Sequence, residues 1–146
     1  MLLTVDRPRE DEHWTHQISV FLQPMGVHAV IANTGQEAIA IAKQIQFHAA
    51  LIDLDTPTGK HQQSSSAAGG VGGFWLMELL NRLEHQPPVI VVRSPAFDRQ
   101  QLDRLLIESM RLGAFSVVDK PLSMEDVLVN FKRLLDKQYR GNWPNA

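Results

Sequence analysis

Five short apolar runs, each followed by a longer amphipathic stretch, constrain this chain more than anything else in it. The runs are Leu2–Val5, His28–Ala32, Ala49–Ile52 (ending at Asp53), Val89–Val92 and Ser116–Val118. The fourth contains only β-branched residues, the strongest strand formers. Strands that are apolar throughout, rather than alternating with polar residues, belong to a parallel sheet covered on both faces. The stretches between them carry helical spacing. Trp14, Ile18, Phe21 and Leu22 define a helix over about 11–22 that Pro24 and Gly26 end, and Ala38, Ile41, Ala42 and Ile45 define a second. Further helices are expected over about 74–83, 99–112 and 123–137. Thr34 with Glu37 has the form of a capping box, and Ser123 with Asp126 resembles one. The expected fold is α/β: a doubly wound, five-stranded parallel sheet of flavodoxin-like strand order 2-1-3-4-5 with five helices.

Such sheets bind ligands beyond the carboxyl ends of their strands. Asp6, Asp53, Arg93 and Lys120 all fall at or just after strand ends. A single charge there is unremarkable, since strands end in something polar. Four together mark one edge of the sheet as a charged site.

Composition excludes several alternatives. With 146 residues the chain fits one domain, large enough to bury about two-thirds of its unfolded surface. Having no cysteine, it has no disulfide, thiolate metal site or cysteine nucleophile. A formal charge of -2 supplies no basic footprint for nucleic acid. No apolar run reaches the ~18 residues of a membrane span, and the first residues lack the form of a signal peptide. A soluble, cytoplasmic protein that engages neither nucleic acid nor membrane is expected.

One stretch breaks the pattern. Residues 58–73 read TGKHQQSSSAAGGVGG, a low-complexity insert within a domain expected over 1–138. Thr58-Gly59-Lys60 lacks the upstream glycine of a P-loop, and Gly69, Gly70, Gly72 and Gly73 do not form G-x-G-x-x-G, so the stretch reads as a flexible linker. The tail, 139–146, contains Gly141 and Pro144 and is expected to fray, with Trp143 able to dock.

From about Leu2 to Lys137 the chain resembles the receiver domains of two-component response regulators. The residues that carry the resemblance are Val5-Asp6, Asp53-Leu54-Asp55-Thr56-Pro57, Gly73-Phe74, Pro88 with Val89–Val92, Gly113-Ala114 and Lys120-Pro121. The resemblance implies a stand-alone phosphoprotein in a phosphorelay rather than an enzyme. Asp53 would be the phospho-acceptor, charged by a histidine kinase or phosphotransfer protein. Lys120 and Ser94 would bind the phosphoryl group, and Asp6, Asp53 and Asp55 would form a Mg²⁺ site. Output would pass to a downstream protein partner through the face made by helix 4, strand 5 and helix 5, and a homodimer is compatible with that face. A cis bond before Pro121 is implied as well. The physical logic holds independently, because phosphoryl transfer is mostly positioning and neutralisation of equatorial oxygens.

Three departures from the pattern point to an atypical or pseudo-receiver. Arg7 follows Asp6 where the family has a second acid, so Asp6 and Asp53 would face Arg7 and Lys120 at a net charge near zero. That predicts weak or absent Mg²⁺ binding, with arginine replacing the metal. The alternative is that Arg7 points to solvent, the turn after the first strand is a few residues longer, and Glu10, Asp11 or Asp55 supplies the acid. Arg93 stands where the switch hydroxyl is expected, with Ser94 next to it, so either residue could face the phosphoryl group. Val117 takes the place of the switch aromatic, and Phe115 lies on the opposite side of the strand. A phosphorylation-independent interaction module therefore stands beside the phospho-switch. A small enzyme on this fold is the third reading, and it lacks a base: His13, His16, His28, His48, His61 and His85 are scattered away from strand ends.

Overall fold

A computed structural model describes residues 1–59, 72–95 and 98–144. The elements in chain order are β1 (Leu2–Thr4), α1 (Pro8–Leu22), a 3-10 turn (Gln23–Met25), β2 (Val30–Ala32), α2 (Gly35–Ala42), β3 (Ala50–Asp53), α3 (Gly72–Leu80), β4 (Val89–Arg93), α4 (Arg99–Arg111), β5 (Ala114–Asp119) and α5 (Met124–Tyr139). The five strands form one parallel sheet in the order β2-β1-β3-β4-β5. None of the helices among the described residues is long and apolar enough to cross a membrane.

The unbroken apolar strands have the expected cause. Successive residues alternate between two cores, one on each face of the sheet. Leu2, Ala50, Ile52, Val89 and Val91 point to a core closed by α2 and α3, through residues such as Phe74, Leu76 and Leu80. Leu3, Leu51, Ile90 and Val92 point to the other, closed by α1 and α5 through Ile18, Leu22, Phe131 and Leu134.

Helix starts follow local chemistry. Thr34 and Ser123 accept hydrogen bonds from the N–H groups of Glu37 and Asp126, both at 3.0 Å. Asp98 caps α4 in the same way, accepting from Gln101 N at 2.7 Å. The first helix begins at Pro8, three residues before the expected start, because proline suits the first helical turn and Asp11 accepts the N–H groups of Asp6 and Arg7 at 3.2 and 3.0 Å. The lengthened turn expected after β1 is therefore absent. The fifth strand is longer than expected, running Ala114–Asp119 with a register shift opposite Val89/Ile90.

The tail is docked as far as Pro144, and the ordered body extends beyond 138. Arg140 and Gly141 end α5 at φ 54° and 89°, turning the chain back. Trp143 is thereby buried against Phe131 and His48, each with ring centroids 5.6 Å away. The Tyr139 hydroxyl donates to the His48 carbonyl.

Residues 60–71 of the low-complexity stretch, His61 among them, lie outside the described residues. Its two ends have fixed surroundings. The carbonyls of Pro57 and Thr58 accept the first N–H groups of α2, from Gly35 and Gln36, both at 2.8 Å. Two glycines read as linker have a packing role instead. A Cβ on Gly72 would lie 2.0 Å from Thr56 O, and one on Gly73 would lie 2.5 Å from Leu54 Cα. The same Gly72 position is 2.8 Å from Thr58 N, so the stretch leaves and rejoins the body at one place. Replacing residues 60–71 by a two-residue Gly-Ser bridge is expected to raise stability by about 1–2 kcal/mol, because each halving of a closed loop returns about 0.6 kcal/mol of closure entropy. Gly73→Ala, which forces a side chain into backbone, should cost about 1–3 kcal/mol. Urea unfolding of the two variants compares them directly.

Candidate functional site

The site lies at the carboxyl edge of the sheet. β3 ends at Asp53, the residues after β1 and β3 bring Asp6 and Asp55, and Lys120 follows β5. The Lys120–Pro121 peptide bond is cis.

Asp53 is fully buried, and its N–H and one carboxylate oxygen are hydrogen-bonded. Its N–H donates to Thr4 Oγ1 at 3.1 Å, and Oδ1 accepts from Asp55 N at 2.9 Å. Oδ2 faces Lys120 Nζ at 2.6 Å. This contact is an ion pair whose angle lies outside hydrogen-bond geometry, so Oδ2 has no directed donor. Lys120 Nζ also stands 3.8 Å from Asp55 Oδ2, and that carboxylate accepts from the Ser94 hydroxyl. Burial pushes the Asp53 carboxyl above the usual carboxylate range, and the Lys120 ammonium and the Asp55 N–H offset only part of this. Asp6 is shifted the same way, first by burial and then by the charges of Asp55 and Asp11, against the pull of Lys120 and Arg7. For Lys120, burial opposes the charge but Asp53, Asp55 and Asp6 outweigh it, and its pKa rises.

The two arginines expected in the pocket do not reach Asp53. Arg7 is 70% exposed and pairs with Glu10 at 3.1 Å, with Asp6 at 3.9 Å. As the residue before the first turn of α1, it meets Glu10 one turn along more readily than the sheet edge. Arg93 is directed at its cross-strand neighbour Asp119, through Nε and NH2, while NH1 donates to the Leu102 carbonyl of α4 at 2.8 Å. Ser94, not Arg93, faces the acidic cluster. Val117 and Phe115 pack on opposite cores although they stand two residues apart, because the register shift opposite Val89/Ile90 inserts an extra residue in β5 before Ser116.

The charge balance is revised accordingly. Asp6, Asp53, Asp55 and Glu10 stand against Lys120 and Arg7, a net of -2 rather than zero, with Arg7 between Glu10 and Asp6 at the rim. A pocket of about 350 Å³ opens beside them, lined by Asp6, Ser94, Lys120, Glu10, Asp11 and Trp14 among others. Its donors are carboxylate oxygens, which suit a hard divalent cation. Among the described residues no three acids converge into a preformed metal cage. Mg²⁺ does not require one, since it binds through one or two carboxylates and keeps several waters. Asp6 and Asp53, with Asp55 beside them, fit that mode, and a cation there would relieve the burial and repulsion that raise the two shifted carboxyls.

No family model and no curated protein matches this chain. Solved structures do. A CheY-like response regulator receiver domain protein from Methanospirillum hungatei JF-1 is 26% identical over 95% of each chain, with a TM-score of 0.70. The signal receiver domain of a signal transduction histidine kinase from Syntrophus aciditrophicus is 21% identical, covering 99% of this chain and 96% of that one, at 0.68. The non-phosphorylated HemR receiver domain from Leptospira biflexa is 22% identical, covering 92% and 91%, at 0.66. The chain has the receiver-domain fold of response regulators. In this fold the expected site residues Asp6, Asp53, Asp55, Ser94 and Lys120 come together, and Arg7 and Arg93 stand apart from Asp53. Three partners were missed in the sequence: Thr4, Thr56 and Asp119. A threonine closing an apolar strand was the one available signal for the first.

Lys120→Gln would leave Asp53 buried without its counter-cation. The expected loss is about 3 kcal/mol near neutral pH, since removing one partner of a buried pair strands the other. A carboxyl whose folded pKa lies above its unfolded value favours folding below the unfolded pKa, and that contribution is lost as pH rises through the folded pKa. The variant's deficit should therefore shrink as pH falls through the raised Asp53 pKa. Urea titrations at several pH values measure it, and a pH-independent deficit would contradict this account.

Proposed function

We propose that this chain is a cytoplasmic signalling module of a two-component phosphorelay rather than an enzyme, accepting a phosphoryl group on Asp53 from a histidine kinase or phosphotransfer protein. The observation that carries the reading is the buried Asp53 carboxylate at a strand end, with Lys120 Nζ 2.6 Å from Oδ2 and Asp6 and Asp55 alongside. A carboxylate oxygen of Asp53 attacks phosphorus, the P–N bond to the donor histidine breaks, and its electron pair returns to the imidazole. Asp53 becomes an acyl phosphate. Lys120 then serves the phosphoryl oxygens as it now serves Oδ2. Because Asp53 has no exposed surface, a donor reaches it only once the side chains over it move. A Mg²⁺ ion held by Asp6 and Asp53 would supply neutralisation of the transferring group's charge. Ser94, which donates to Asp55, would turn instead to the phosphoryl group. Output to a protein partner would use the face of α4, β5 and α5, where Leu106, Ile107, Met110 and Val129 are exposed.

The test is incubation with acetyl phosphate and Mg²⁺ followed by intact-mass measurement. One added phosphoryl group on the native chain, and none on Asp53→Asn, is the expected result. No mass shift, together with no Mg²⁺-dependent change in tryptophan emission, would sink the reading.

Arg93 favours the second reading, a phosphorylation-independent interaction module. At the position expected for a movable hydroxyl, it joins β4 to β5 and to α4 through Asp119 and the Leu102 carbonyl. The half-buried pair should act as one unit. Arg93→Ala is expected to cost about 1–2 kcal/mol, and adding Asp119→Ala should cost little more than either change alone. Additive losses in this double-mutant cycle would show that the two side chains do not act together.

A further inference from the structure

Behind the acceptor carboxylate lies a buried hydroxyl pair that the chemistry above does not use. Thr4 and Thr56 have no exposed surface, and their hydroxyl oxygens are 2.9 Å apart. Thr4 Oγ1 also accepts the N–H of Asp53 at 3.1 Å. The sheet explains why a side chain is needed there. β1 is paired with β3 at Leu2↔Ala50 and Leu3↔Leu51, and its strand ends at Thr4, so the ladder between them stops short of Asp53. On the other flank Asp53 is paired with Val92 of β4. The Thr4 hydroxyl supplies the acceptor that a longer β1 would have supplied from its backbone. Thr56, whose N–H donates to Asp53 O at 3.1 Å, closes the turn after the strand and returns its hydroxyl to Thr4. Two buried hydroxyls among apolar strands are costly unless they satisfy one another and a backbone group, and this arrangement does both.

We propose that Thr4 is a positioning residue for Asp53, with Thr56 as its support: the pair fixes the end of β3 so that the carboxylate meets Lys120 and an incoming phosphoryl group in one orientation. The inference rests on Asp53 being the acceptor. In-line displacement is sensitive to small misplacements of the attacking oxygen, so a shift of the main chain at Asp53 reaches the chemistry directly. Thr4→Val keeps the shape, removes the hydroxyl and leaves the Asp53 N–H buried without an acceptor.

The experiment compares the native chain with Thr4→Val, Thr4→Ser, Thr56→Val and a control, Leu80→Ala, which opens a cavity in α3 away from the site. Phosphorylation by acetyl phosphate is followed by intact mass. The Asp53 amide resonance and the pH titration of its carboxyl carbon are followed by NMR. Thr4→Val should slow phosphorylation by about tenfold or more and displace both Asp53 signals. Thr4→Ser should recover most of the rate, Thr56→Val should lie between, and Leu80→Ala should lower the melting temperature with near-native phosphorylation. A native rate with unmoved Asp53 signals in Thr4→Val overturns the proposal, as does an equal slowing in Leu80→Ala. If the native chain takes up no phosphoryl group, the acceptor reading fails separately. The role of Thr4 is then decided by the resonances: unmoved signals overturn it, and displaced signals restored by Thr4→Ser uphold it.

Discussion

The ion pair between Asp53 and Lys120 sets the terms for the rest of the molecule. A carboxylate with no exposed surface carries a desolvation cost that only a close cation and directed donors offset. Lys120 approaches Oδ2 to 2.6 Å and remains 25% exposed, so the cation keeps part of its hydration while the anion loses all of its own. Burial prevails over the pairing, and the Asp53 carboxyl sits above its usual range. Bringing the two groups together needs β3 and β5 parallel, with β4 between them, and both ending at the same edge. The sheet order is thus what makes the pair available, and the pair in turn places the chemistry at that edge.

Most of this architecture was legible because it follows from periodicity. Runs such as Val89–Val92, apolar at every position, require cover on both faces, and the two cores supply it. The ends of elements were less legible, because single contacts decide them. The carboxylate of Asp11, bonded back to the N–H groups of Asp6 and Arg7, moves the start of α1 to Pro8. Two left-handed residues, Arg140 and Gly141, return Trp143 to the body, so a tail whose composition suggested fraying is packed instead. Gly72 and Gly73 were hidden by their neighbours in the sequence. In a Gly/Ser-rich stretch they look interchangeable with the rest, yet both meet backbone at distances no side chain tolerates.

At the site, residues placed by strand ends were legible and the directions of long side chains were not. Asp6, Asp53, Asp55 and Lys120 gather because the backbone carries them there. Arg7 and Arg93 also emerge at that edge, but each has several rotatable bonds and a nearer carboxylate. Glu10 takes one and Asp119 the other. Position in sequence fixes where an arginine starts, whereas local charges fix where it ends. Thr4 and Thr56 were hidden for the opposite reason: a short hydroxyl inside a strand looks like an ordinary β-branched residue until the ladder beside it is seen to stop.

The two arginines also account for how the acidic cluster keeps its charge. Had either guanidinium turned to Asp53, three carboxylates would have faced two cations, and a divalent ion would have had little to bind. Glu10 holds Arg7 at the rim of the pocket and Asp119 holds Arg93 away from it, and both lie within reach through local spacing: one helical turn for Glu10, cross-strand register for Asp119. The consequences differ. Arg7 is exposed, and its pairing is screened and exchangeable. The Arg93 side chain is 14% exposed and binds both a carboxylate and a helix carbonyl, so moving it breaks several bonds at once. The edge therefore combines an exposed rim at β1 with a joint of several bonds between β4, β5 and α4. Between them, Ser94 and Lys120 both touch Asp55, and Lys120 joins that carboxylate to the buried Asp53.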